Sequence, residues 1–345
     1  MNAPVRLDLR DASTFPTRRV EDWKWSDLKR FLRDAPAVSA ALAVAPGGPF
    51  AALGGREIAF GNGVTADGAA EARFEGAGTL RLRFVSEAQA TGHQARATVV
   101  VPARAELLVL ESYEGAGSAY ASNVTLGFEL GEGARLTRIV LLEEPDDAIS
   151  VSAAEVKVAP HAHYTQTVLA SGAKLQRHET RVNHPGHGAS VRLDGLYVLS
   201  GSRHADLTTV VDHQGVEGVT SQLTKGVVAD SARGVFQGRI VVDRGADKTD
   251  ARMGHHALIL SDKAEVDAKP ELEIYADDVS CAHGNTVGAL DENALFYACA
   301  RGIPEHEARV MLTQAFLGEV TDRIEHDGAR EAAQAWLVDR LEALL

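Results

Sequence analysis

The sequence predicts a mainly β protein whose core is a stacked β-solenoid or, failing that, a sandwich or barrel, with helical segments at both ends. Three observations carry this expectation. Between about residues 54 and 279 the 3.6-residue period is almost absent and apolar residues alternate instead, as in Val124, Leu126, Phe128 and Leu130, or Val156 and Val158. Turn-forming clusters interrupt this stretch at residues 115–117, 131–133, 145–147, 159–160, 171–172, 185–188, 200–201, 215–218, 230–234 and 244–246. Their spacing of about 12 to 16 residues leaves room for one strand and one turn, which suits a solenoid at least as well as a sandwich or barrel. The helical period returns only on either side. Within the β region, Gly195 and Gly226 are each followed by an apolar pair and stand 31 residues apart, about two intervals, as expected of a rung built from two long strands.

The chain divides accordingly into residues 1–53, a helical segment and linker; 54–284, the β core; and 285–345, a helical domain. In the first part, Val20, Trp23, Leu28, Phe31 and Leu32 recur at helical spacing and predict one short amphipathic helix, followed by an Ala/Pro/Gly-rich linker through Gly47 and Gly48. In the last part, Leu295, Phe296 and Cys299 share a helix face that ends at Arg301–Gly302. Pro304 opens a second helix with a stripe of Ala308, Met311, Leu312, Ala315, Phe316 and Ile324. After Gly328 a last helix carries Trp336, Leu337, Leu341 and Leu344 on one side. Amphipathic helices at a chain end have to dock on the core or on a partner.

Composition excludes several classes. The 345 residues are 45% hydrophobic and 24% charged, with a formal charge of −13, which argues against a phosphate-binding surface for nucleic acid. No apolar run approaches the roughly 20 residues of a membrane helix, and the N-terminal residues lack the apolar stretch of a signal peptide. Two cysteines cannot form a disulfide framework, and a reducing cytoplasm is the expected compartment. There is no G-x-x-x-x-G-K-[ST] loop and no G-x-S-x-G elbow, and the chain carries no complete enzyme constellation.

Chemistry concentrates in residues 269–302. Glu271, Glu273, Asp277 and Asp278 supply hard oxygens, Cys281 a soft thiolate and His283 an imidazole, a mixture typical of metal or redox sites. Cys281 and His283, two residues apart, point to one face of a strand with backbones roughly 6.6 Å apart. A single metal spans only about 4.4 Å between ligand atoms, so the pair is better placed to complete a site shared with a second chain. The alternative is a small buried thiol beside a hydrogen-bonded surface histidine. Cys299, on an apolar helix face, is expected in the core. The other histidines, His161 and His163 as an H-x-H on one strand face, His184 with His187 in a turn, and His255 beside His256 on opposite faces, lack a recognised metal-ligand spacing and are read as turn or surface residues.

The pieces KPELEIYADDV, C-x-H-G-x-T-V-G and LFY…RGI resemble the C-terminal signature of the SufB/SufD family of iron–sulfur cluster assembly scaffolds, and RRVEDWKWSDL (residues 18–28) is similar to that family's aromatic N-terminal element. The strongest match covers about residues 243–320. Where this chain reads C-A-H-G, SufB-type members read E-H-E-A, so the likeness is to the SufD side; the chain is short for the family. The resemblance implies a right-handed parallel β-helix and a non-enzymatic subunit that pairs with SufB, or with itself when isolated. It further implies that the ATPase SufC binds the C-terminal helices. By the same token His283 is the metal ligand and, with Cys281, contacts a transient iron–sulfur cluster or iron at the partner interface, with nothing tightly bound to the isolated chain. A metal-dependent hydrolase or lyase on an all-β fold is the competing expectation, and a secreted β-helix that binds polysaccharide is a third.

Overall fold

Eight of the ten turn clusters fall wholly between strands, and the other two, residues 115–117 and 230–234, overlap a strand end by one or two residues. A computed structural model describes residues 7–344 and resolves a core of seventeen strands, from β1 (Arg56–Gly61) to β17 (Ser280–Gly288). Odd-numbered strands form one nine-stranded sheet and even-numbered strands an eight-stranded sheet, with every neighbouring pair parallel. The chain therefore alternates between two facing sheets and climbs one rung with every two strands. This is the solenoid; the sandwich and barrel alternatives are set aside. One rung advances the chain by about 29 residues, since Leu80, Val109 and Arg138 are successive partners. The turns reverse within a few residues by placing one position in the left-handed region, among them Arg104, His161, His187, Glu217 and Asp230.

Side chains alternate strictly, so one set from each sheet fills the space between the sheets. Leu80, Leu82, Val99, Phe128, Val156, Val191 and Leu199 belong to this continuous apolar core. Aromatic rings stack along it, Phe60 on Phe84 and Phe84 on Tyr113, at centroid distances of 5.2 and 5.0 Å. The glycine repeat is not in register as its spacing suggests. Gly195 on β11 (Ser190–Leu199) faces Thr224 on β13 (Val219–Val228), while Gly226 faces Tyr197. Gly226 is where the ring of Tyr197 lies: a Cβ built there would sit 1.9 Å from its Cζ.

The outer face of each sheet has its own cover. Helices α3 (Glu305–Thr321) and α4 (Asp327–Leu344) lie on the nine-stranded sheet, packing Leu317, Val320, Ile324, Ala333, Leu337 and Leu341 against Leu110, Ile139, Leu169, Leu196 and Val227. The predicted α3 stripe is therefore rotated. Ala308 and Ile324 are buried, but Met311 and Ala315 face outward because the sheet selects Leu317 and Val320. Residues 17–35 form no continuous helix. They make a 3-10 turn at Glu21–Trp23 and a single helical turn, α1 (Leu28–Phe31), in an extended strap across the eight-stranded sheet. Its apolar residues Leu9, Phe15, Trp23 and Leu28 pack on Ala121, Ile149, Val151 and Leu175. The helical period had reflected contacts to that sheet rather than a helix face. No helix among the described residues is long and apolar enough to cross a membrane.

Candidate functional site at the last rung

Alternation along β17 sends Cys281, His283, Asn285 and Val287 toward the solenoid interior, since their register partners on β15 (Asp250–Ile259) are the buried Ala251, Met253, His255 and Ala257. His283 ends an inward column that runs through Val109, Arg138, Gln166, Leu193, Gln222 and Met253. Among the described residues no further rung follows, so these interior-type positions are open: His283 and Asn285 are exposed, and Val287 is 43% exposed. Cys281 is half-buried against Phe236, Ile240, Ala251 and Met253, and burial raises its thiol pKa. The chosen pair thus shares one face as expected, with only its histidine fully accessible.

The carboxylates do not join them. On β16 (Glu265–Ile274) Glu271 and Glu273 point to the outer face of the other sheet, where both lie beside Arg239, at 3.2 and 3.4 Å. Asp277 and Asp278 occupy the exposed turn between β16 and β17. Among the described residues no three His, Cys, Asp or Glu side chains come close enough to hold a metal ion. Cys299, expected in the core, is only half-buried on α2 (Glu292–Ala300), and its neighbour Phe296 is 76% exposed, because α2 packs on α3 rather than on the sheets and buries only Leu295 among its described residues.

Two of the histidines read as turn or surface residues, His184 and His255, are interior instead. His184 and His213 stack at 4.3 Å, and burial lowers their pKa values to about 4 and about 3. His161 lies in a left-handed turn rather than on a strand face with His163. His255 and His256 do face opposite ways. His255 is fully buried against Phe236, while His256 is hydrogen-bonded to Thr286 at 2.7 Å on the outer side.

The strap carries a site that residue types alone did not announce. Asp22 lies 3.2 Å from Arg181 and 2.9 Å from Arg239. Burial alone would raise its pKa, but the two guanidinium groups outweigh that and hold it below the usual carboxylate range. Trp23 covers Arg177, whose guanidinium pairs with the buried Asp206 and Glu179, and Ser26 donates to Asp206. Lys269 on β16 reaches Glu21 at 2.7 Å. The quoted motif at residues 18–28 is therefore the clamp over a row of buried ion pairs.

Comparison with known proteins decides the family. A model of the SUF system FeS cluster assembly SufBD core domain matches residues 84–316, two thirds of the chain, and includes Cys281 and His283. This chain belongs to the SufBD family. An iron–sulfur cluster assembly SufBD family protein of Synechocystis is 32% identical over 241 residues, 67% of this chain and 53% of the relative. The iron–sulfur cluster assembly protein SufD of Escherichia coli is 37% identical over 178 residues, 52% of this chain and 42% of the relative. SufD of Bacillus subtilis is 33% identical over 153 residues, 44% and 35% of the two chains. The chain spans about half the length of the curated relatives it matches. The SufBD match begins in β3 (Gly78–Ser86) and ends in α3, so the strap lies outside it.

Proposed function

We propose that this chain is a non-enzymatic scaffold subunit of cytoplasmic SUF iron–sulfur cluster assembly, pairing with a SufB-type subunit through its last rung. The observation that carries this reading is the uncovered interior face of β17, where an accessible imidazole stands at the end of a packed column. A monomer gains nothing by leaving such a face open. Val287, Ile274 (40% exposed) and Tyr275 (58% exposed) give the same end an apolar rim, and β16 and β17 each have one unpaired edge. A partner rung laid on this end would bury the rim and bring its own ligands toward His283.

The cluster is cargo in this reading. His283 supplies a neutral imidazole to iron, Cys281 flanks it, and the partner contributes the remaining ligands. Imidazole in place of thiolate leaves less negative charge on the cluster, which suits a site that must give the cluster up. A SufC-type ATPase docks at the C-terminal helices, where Phe296, Tyr297 and Met311 are 76%, 61% and 54% exposed on α2 and α3. ATP-driven closure of two such ATPases twists the paired scaffolds and opens the His283 interface. The isolated chain pairs with itself through the same end.

The test is co-expression with a SufB-type subunit and the ATPase. His283→Ala should leave the complex intact, because an exposed histidine contributes little packing, while iron content and visible absorbance fall sharply. Normal cluster build-up on the His283→Ala complex would refute the ligand assignment.

A further inference from the structure

Two buried side chains, Tyr197 and His255, and the exposed Asn285 form a hydrogen-bonded series that ends on the open face beside His283. Tyr197 on β11 is fully buried, and its hydroxyl lies 3.0 Å from Nε2 of His255 on β15. It passes over β13 because the intervening position there is Gly226. His255 stacks face to face on Phe236, with planes 2° apart and centroids 4.8 Å apart. Its Nδ1 lies 2.7 Å from Oδ1 of Asn285. Asn285 is the inward residue next after His283 on β17, about 6.6 Å further along the strand.

The direction of these bonds follows from satisfying buried groups. The Tyr197 hydroxyl has no other hydrogen-bond partner among the described residues, and a buried O–H without an acceptor is costly. It therefore donates to His255 Nε2, which leaves the ring proton on Nδ1 to donate to Asn285 Oδ1. Burial lowers the His255 pKa to about 4, so the ring carries one proton at neutral pH. With Oδ1 engaged, the Asn285 amide nitrogen points its two N–H donors away from His255, and no acceptor among the described residues takes them.

We propose that Asn285 is a further residue of the assembly site, its amide held by Tyr197 and His255 so that it donates to a thiolate or sulfide of the cluster bound at His283. The proposal rests on the His283 reading above. N–H donors to cluster sulfur stabilise the more negative state and help set the potential. Tyr197 and His255 act as positioning residues and touch nothing of the cargo.

The first experiment needs no cluster. Nitrogen-15 NMR of the purified chain, labelled at histidine, should show His255 with its proton on Nδ1 and a free lone pair on Nε2. A proton on Nε2 would turn the Asn285 amide round and overturn the proposal. The second uses the co-expressed complex carrying Asn285→Asp, which keeps the acceptor for His255 but loses the donors, and Asn285→Ala. Asn285→Asp should melt near the wild-type temperature and Asn285→Ala a few degrees below it, because it leaves the His255 N–H without its acceptor. Both should lose bound cluster to a chelator about three- to tenfold faster, the factor of one hydrogen bond. The potential of the remaining cluster should move to more negative values. Because Asn285→Asp also adds a negative charge beside the cluster, the neutral Asn285→Ala decides: wild-type retention and potential in that variant would show that the amide does not donate to the cluster, and that result refutes the inference. His283→Ala in the same assay separates the two claims: if it retains cluster normally the parent reading fails, whereas if it alone fails only Asn285 is wrongly assigned.

Discussion

The ring of Trp23 lies 4.4 Å from the guanidinium carbon of Arg177, closing over an arginine that is itself 1% exposed and paired with two carboxylates. A buried charge of this kind depends on its cover, because water admitted at the tryptophan would compete for every partner. The strap is thus fastened by electrostatics as much as by apolar contact.

Trp23→Ala should cost about 3–5 kcal/mol, the range for deleting a buried tryptophan, with part of the loss arising from uncovering Arg177. Urea unfolding of the full chain measures it. A loss below about 1 kcal/mol would show that the strap is only laid on the sheet.

Gly226→Ala places a methyl group inside the Tyr197 ring position. Overpacking typically costs about 1–3 kcal/mol, so its melting temperature should fall by several degrees. Tyr197→Val in the same chain should recover part of that loss, giving a coupling that a double-mutant cycle reads directly. Additive effects would mean the two positions do not compete for space.

Acid should destabilise this protein earlier than its low isoelectric point suggests. Burial lowers the pKa of His93, His184, His204 and His255 to about 4 and of His213 to about 3, and places His178 well below the ordinary value. The unfolded chain takes up these protons near pH 6.5 and the folded chain does not. The histidine contribution is therefore complete above pH 6.5 and is lost as pH falls toward 4. Glu144 and Asp194 oppose it, because burial raises them to about 7 and about 6, so their neutral forms favour the folded state at lower pH. Six histidines outweigh two carboxyls, and the melting temperature should drop between pH 7 and 5. A flat or rising profile would contradict the buried-neutral assignment.

Removing residues 304–345 would strip α3 and α4 from Leu110, Ile139, Leu169 and Leu196, so the truncated chain should aggregate. Single substitutions at the outward positions avoid this. Phe296→Glu and Met311→Glu should keep the wild-type circular dichroism and abolish capture of a SufC-type ATPase. Retained capture with an intact fold places the docking surface elsewhere.

Turn positions from residue 115 onward were legible because a tight reversal needs particular residues locally, and clusters such as residues 185–188 or 244–246 supply them. That Cys281 and His283 share a face was legible for a similar reason, since alternation is a two-residue rule, but that this face is the inward one emerged only from the pairing with β15. Register was not, because the Gly195 and Gly226 spacing differs by two residues from the pairing that places Gly195 opposite Thr224. The clamp was hidden for a physical reason. Arg177 and Asp206 read as ordinary outward residues until a strap from far along the chain buries them. His184 and His213 sit next to turn signals, and only the stacking of successive rungs encloses them. The exposure of Met311 depended on which stripe of α3 the sheet chose.

A β-solenoid with an open end can in principle recruit further copies head to tail and grow into a fibre. The composition of the two ends works against that. At the far end β2 (Glu71–Glu75) is a short strand of charged residues, with Arg73 beside Glu75 and Glu71 beside Arg96. The last rung offers a proline, Pro270, on β16 and polar His283 and Asn285 on β17, where a self-propagating stack would want aliphatic side chains. The ends do not match each other, so polymerisation stalls and the reactive face is reserved for association of a kind that terminates after one step.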